Sequence, residues 1–329
     1  MSRRSPSNCS DCDNRIDRRS FVKKVGGAAL AGAVAPSLLD MRMVHAAPSP
    51  ESVAETVVGQ FYASLSAQQR EAVCFPFNHA LSKKISANWH ITEPLIGGDF
   101  YSNEQRELIR QIVRGVTSED GYEKLIHQMK DDDGGIEGYA VAVFGSPGAG
   151  KFQWELTGRH LTLRADGDNV DRAAFGGPII YGHGESTPKD NLFHYQTKQA
   201  NEVYRSLNSA QSKRALLSTA PDENAVPIQG NGGGFPGIAV SELSADQKNL
   251  VERTLKVLLG VYRPEDVQEV MAILKASGGL DKLHMAFYQE EDINEDQVWD
   301  IWRVEGPSLV WHFRGAPHVH AYINIGQKA

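Results

Sequence analysis

Two histidines, His318 and His320, stand one residue apart at the head of the apolar stretch Ala321 to Ile325. If the pair is already extended, both rings lie on one face, because strand side chains repeat every two residues. That is a good arrangement for two ligands of one metal, and neutral imidazole suits zinc, copper, iron or nickel. A third ligand must come from elsewhere, and His160, His183, His90 and His79 are the candidates. His160 is favoured, since it sits in the hairpin text Gly158-Arg159-His160-Leu161, which an internal duplication would place near the C-terminal sheet. The alternative for a bare His-x-His is a pair of hydrogen-bonded structural or substrate-binding histidines. In the metal reading the cofactor is a transition metal (Cu, Zn or Fe) acting as Lewis acid, water activator or redox centre.

Other chemistry-bearing residues lie in irregular text. Phe75-Pro76-Phe77-Asn78-His79, Asn88-Trp89-His90-Ile91 and Tyr181-Gly182-His183-Gly184 mix polar and aromatic residues. Such loops make binding surfaces, so His79, Trp89, His90 and His183 form a candidate pocket; the same residues are also ordinary packing material. Gly145-Ser-Pro-Gly-Ala-Gly-Lys151 looks like a phosphate-binding loop, but Phe152 stands where Ser or Thr should hold magnesium, and a strand follows instead of a helix. It reads as a hairpin loop. Cys74 has no evident partner and reads as an inert thiol.

The elements that must position these residues come in runs. Val57, Val58, Phe61, Tyr62 and Leu65 recur at helical spacing, and Ser66 with Gln69 spells a capping box for a short helix over 67–73. Helices are expected over 103–116, 118–130, 191–207, 209–217, 244–259 and 264–275. Strands are expected over 138–144, 152–156 and 160–164, and again over 283–289, 297–304, 308–314 and 318–325. Pro221 to Pro236, centred on Gly230-Asn-Gly-Gly-Gly234, reads as a loop, linker or lid. Runs of helices followed by runs of strands predict an α+β fold with antiparallel β-meanders.

The order helix, helix, meander occurs twice. Trp154-Glu-Leu-Thr-Gly158-Arg-His160-Leu161 rhymes with Trp302-Arg-Val-Glu-Gly306-Pro-Ser308-Leu309, and the helix opening Leu65-Ser66-Ala67-Gln68-Gln69 rhymes with Leu243-Ser244-Ala245-Asp246-Gln247. This suggests a single α+β domain over 47–329 made of two pseudo-repeats, about 51–220 and 237–329, sharing an interface.

Residues 1–46 read as an address. Arg18 and Arg19 are followed by Phe21 and Lys23, then by a weakly apolar Ala/Gly-rich stretch and small residues near Ala46. This is the pattern of a removable twin-arginine signal peptide. It implies export of the folded protein by the twin-arginine translocase to the periplasm or the cell exterior. No later stretch approaches the about 20 apolar residues of a bilayer span. Of three cysteines, Cys9 and Cys12 fall in the leader, so Cys74 alone cannot build a disulfide framework in the mature chain. The net charge of −7 argues against a nucleic-acid partner; a small-molecule ligand is the expected one.

On the hairpin Lys151-Phe-Gln-Trp-Glu-Leu-Thr-Gly-Arg-His-Leu161, on Gly176-Gly177-Pro178 and on the terminal His318 and His320, the chain resembles the domain of unknown function 3500 family. Its members tend to show a Gly-His-His-Leu hairpin, a Phe/Gly/Pro segment and a C-terminal His-x-His. Arg159 replaces the first hairpin histidine here, so only His160 carries over. The resemblance spans about residues 51–327 and implies a frequently exported bacterial protein of unestablished biochemical role. Two readings follow: a histidine-ligated metal-dependent enzyme (hydrolase or oxidase), or a non-catalytic binding or interaction protein of the cell envelope.

Overall fold

The computed structural model describes residues 47–328; the twin-arginine segment and Cys9 and Cys12 lie outside them. Among the described residues eight α-helices and eleven strands follow one another in two similar series. The first comprises α1 (Val53–Ser64), α2 (Ala67–Val73), β1 (Cys74–Phe75), α3 (Asn103–Gly115), α4 (Glu119–Asp133), β2 (Ala140–Gly145), β3 (Phe152–Gly158), β4 (Leu161–Ala165) and β5 (Ile179–His183). The second comprises α5 (His194–Ser206), α6 (Ser209–Ala215), β6 (Leu216–Leu217), β7 (Ile238–Ala239), α7 (Ala245–Leu259), α8 (Pro264–Ala276), β8 (His284–Tyr288), β9 (Ile301–Gly306), β10 (Leu309–Arg314) and β11 (Val319–Ile325). The expected α+β class is what the chain adopts.

All strands join one mostly antiparallel sheet in the order β1-β2-β3-β4-β5-β11-β10-β9-β8-β6, with β7 on β8. From either edge the sheet reads alike: a two-residue parallel strand, an antiparallel meander, then the central strand. β5 and β11 meet antiparallel at the centre, with Ile179 opposite Ile323 and His183 opposite Val319.

The caps show how the two series correspond. Ser66/Gln69, Ser102/Gln105, Asn208/Gln211 and Ser244/Gln247 are four capping boxes. The cap glutamines then bond pairwise, Gln69 with Gln105 and Gln211 with Gln247. Gln105 also donates to the Ser64 carbonyl, and Gln247 to that of Ser206. Ser66 therefore matches Asn208, and Ser102 matches Ser244. The rhyme of 65–69 with 243–247 paired the first box of one series with the second box of the other. The same cap text recurs because each of these helices must satisfy its free N-terminal amides.

Helices cover one face of the sheet. Val319, Ala321, Ile323 and Ile325 of β11 point into that core with Trp154, Trp302 and Trp311. The other face carries His320, Tyr322 and Asn324, and two irregular straps cover it. Ala87 and Val226 pack there on Ile180, Val310 and Tyr322. Asn324 Nδ2 donates to the Val226 carbonyl and Arg164 Nη1 to that of Ser82. The Pro221–Pro236 segment is thus a packed cover rather than a linker. Because this face is closed by coil, it holds polar pairs: Glu155–Arg164 and Arg303–Glu305, each at 3.0 Å.

One expectation shifts and another holds. The strand expected at 297 begins at Ile301, because left-handed Glu291, Glu295 and Gln297 turn the preceding loop. The Gly145–Lys151 segment is the β2–β3 hairpin loop, with Gly145 and Gly148 at φ 80° and 78° and strand on both sides. Among the described residues no helix is long and apolar enough to cross a membrane.

Candidate metal centre

His160 occupies the turn between β3 and β4 at φ 58°, and its amide donates to the Ala87 carbonyl at 2.6 Å. The neighbouring strand gives it room by carrying glycine. A Cβ on Gly182 would overlap the Val319 carbonyl and lie 3.2 Å from the His160 Cβ; one on Gly184 would lie 2.6 Å from Asp132 Oδ1. His320 sits opposite Gly182 on one side and Arg314 on the other. Val319 between the two histidines turns to the helical core, so His318 and His320 share the opposite face as strand geometry requires.

The three rings converge. His160 lies 5.1 Å from His318 and 4.8 Å from His320, and His318 lies 4.7 Å from His320, centroid to centroid. One nitrogen from each falls within 4.8 Å of the others. His318 Nε2 and His320 Nε2 are 3.0 Å apart. Nitrogens bound to one tetrahedral zinc at about 2.0–2.1 Å stand roughly 3.3 Å apart, so small ring movements would close the set around an ion.

Carboxylates hold the rear nitrogens of two rings. Asp132 Oδ2 lies 2.8 Å from His160 Nδ1 and also accepts from Gln128 Nε2, while Asp132 Oδ1 accepts from the Gly184 amide. Glu223 meets His320 Nδ1 at 3.1 Å, accepts from the Tyr322 hydroxyl and pairs with Arg314 Nε at 3.2 Å. A carboxylate on Nδ1 fixes the proton there and leaves the Nε2 lone pair for a cation. Burial works against both acids. For Asp132, hydrogen bonds from His160, Gln128 and Gly184 outweigh it and hold the carboxyl below its ordinary value. For Glu223, His320, Arg314 and Tyr322 outweigh it and bring the carboxyl down to about 2.

Burial, with the neighbouring His320, His160 and Arg314, lowers His318 to about 4. Burial is also the main cause that lowers His320. Both shifts favour the uncharged ring. Two neutral Nε2 atoms at 3.0 Å repel unless a proton or a cation lies between them. Arg314 Nη2 approaches His318 Nε2 at 3.5 Å from outside the triad.

Of the remaining candidates, His183 is buried in an adjacent network, with Nε2 3.2 Å from Asp131 and Nδ1 accepting from the Leu192 amide. His79 caps a turn and stacks on Phe75. Trp89 packs on β2 beneath Lys84, and His90 bonds the Gly138 carbonyl. These last three lie toward the β1–β2 edge, with β3 and β4 between β2 and the central strands. Arg159 is exposed, and its carbonyl accepts from Tyr139 and Gln128. Cys74 is on the edge strand, its thiol raised by burial to about 11.

Sequence reasoning missed Asp132, Glu223 and Arg314. Asp132 did leave a signal. Asp131-Asp132-Asp133 closes α4, where the helix dipole disfavours negative charge, so the run calls for cationic or N–H partners. His127, His160 and His183 supply them.

The strap-covered face of the α+β sheet thus carries a three-imidazole cluster that could hold a metal ion, with carboxylates behind two of its rings. The family described as "Protein of unknown function (DUF3500)" matches residues 48–324, and the chain belongs to it. No curated protein and no solved structure matches the chain significantly.

Proposed function

We propose that this chain is an exported metal-dependent enzyme whose metal is held by His160, His318 and His320. The observation that carries the reading is the convergence of three imidazoles, two with a carboxylate on the rear nitrogen. Three protein nitrogens leave a fourth position for water or substrate, as in catalytic zinc sites. A metal there supplies Lewis acidity and a more acidic bound water, which suits hydrolysis; copper or iron on the same ligands would suit oxidation. Asp132 and Glu223 orient the ligand rings, and Arg314 stands beside the open side.

The non-catalytic binding reading draws on the aromatic loops. Their residues Phe75, His79 and Trp89 are engaged with Phe144, Ala140 and Ala142 of β2, which gives it less support than the triad gives the enzyme. Export rests on the Arg18-Arg19 segment, and fractionation of cells expressing the chain, with and without an Arg18→Lys/Arg19→Lys change, tests it.

The decisive experiment on function is metal analysis by mass spectrometry of the purified protein and of a His318→Ala/His320→Ala variant. The expected result is near-stoichiometric zinc, copper or iron that disappears in a folded variant. An unchanged metal content, or none after soaking with each ion, refutes the reading.

A further inference from the structure

We infer that the ligand acted on at this centre carries a cationic amine at one end and a carbonyl or carboxyl oxygen at the other, an inference that rests on the metal reading above. A cleft of about 230 Å³ opens beside the triad, and two of its lining residues touch triad rings, Glu223 on His320 and Arg314 on His318. Its two ends differ in charge.

At the inner end, Glu223 forms an ion pair with Arg314, its carboxylate 3.2 Å from Nε. Arg314 Nη2 then points toward His318 Nε2 at 3.5 Å. When that lone pair goes to a metal, Nη2 keeps its N–H and loses this acceptor. It is left facing the coordination space, where an oxygen of a bound molecule would replace the lost partner. On the lining, His312 is 1% exposed and its Nδ1 has no partner. That is a second polar contact that the protein itself leaves unused, and a buried polar atom of this kind calls for a ligand group or water.

At the outer end stand Asp222, Glu290 and Glu291, all exposed. Arg314 offsets the charge of Glu223, and Glu290 also accepts from the Ala220 amide. Three carboxylates remain at the mouth, and the lining holds no second arginine or lysine to offset them. Their field favours an ammonium group and disfavours a second anion.

The test uses the full protein loaded with cobalt(II), whose visible spectrum responds when a chelator takes the open position. The probes are acetohydroxamate and ω-aminoalkyl hydroxamates of two to five methylenes, with ω-hydroxy and ω-carboxy analogues as controls. Exposed ion pairs contribute at most about 1 kcal/mol each, so the best amino probe should bind about fivefold tighter than its hydroxy analogue at low salt. The ratio should fall toward one at high salt and in an Asp222→Asn/Glu291→Gln variant. Equal binding of amino and hydroxy probes, or preference for the carboxy probe, overturns the inference while leaving the metal site standing. Absence of any cobalt spectrum overturns both.

Discussion

Asp132 Oδ2 and His160 Nδ1 stand 2.8 Å apart, both side chains being 5% exposed or less. The carboxylate also receives Gln128 and Gly184, so it is held on three sides and cannot turn away. The contact sets the imidazole tautomer and would make Nε2 a stronger ligand for a metal. Asp132→Asn should leave the fold intact and weaken metal binding by about 10–100-fold. Competition against a chromophoric chelator measures this. An unchanged affinity would mean that the pair is only structural.

A ligand that binds the folded state alone raises stability by mass action. Zinc at 100 times its dissociation constant should add about 2.7 kcal/mol. Thermal melts with and without zinc should separate for the wild-type protein and coincide for the His318→Ala/His320→Ala variant. Coincident melts in both would argue against a specific site.

At Gly182 both His160 and β11 come close to the β5 backbone. In Gly182→Ala the added methyl meets the Val319 carbonyl, which is held in the sheet. Overpacking of this kind costs about 1–3 kcal/mol, and here it should also spread the ligands. Denaturant titration and metal affinity should fall together. A loss of stability with full metal affinity would detach the glycine from the site.

A second group of acids lies away from the triad. Burial, with Asp166 and Asp266 nearby, raises Glu269 to about 8, although the Phe175 amide donates to it; Asp168 adds to the rise. Asp166 is raised to about 6 and Asp266 to about 7, burial again leading, with Arg263 opposing it at Asp266. A raised folded-state value means that the folded chain holds the proton more tightly than the unfolded one. Its contribution is full below the unfolded value near 4.5, fades as pH rises, and is gone above about 8. Glu269→Gln keeps an acceptor for the Phe175 amide without titrating. The variant should therefore gain stability relative to wild type as pH goes from 5 to 8.5. Parallel melting curves across that range would contradict the assignment.

The glutamine pairs offer a comparison between the halves. Gln105→Ala and Gln247→Ala each remove a cap bond, two reciprocal bonds with the partner glutamine and a bond to a carbonyl. Each should cost about 1–2 kcal/mol, and the two costs should agree within experimental error. A large difference would show that the matching bonds hide different strain.

The α+β class was legible because helical and alternating periods occupy separate stretches, and His318 and His320 were legible because a strand's period is two. His160 could be chosen from the hairpin text around it. Glu223 could not, since its role depends on a strap whose path is set by packing on β10 and β11, far away in the chain. Arg314 looked like any strand residue. The pairing of the helix openings failed because a capping box reports a helix start and carries no label for which helix it starts. The short parallel strands β1 and β6 were missed because two residues show no period.

The first series supplies His160, and the second supplies His318 and His320, across the seam where β5 meets β11. An ion bound there is a rivet between segments that meet only when the whole sheet has assembled. A nascent or half-folded chain lacks the complete ligand set. Metal capture would thus serve as a completion signal, given only by a chain whose two ends have found each other.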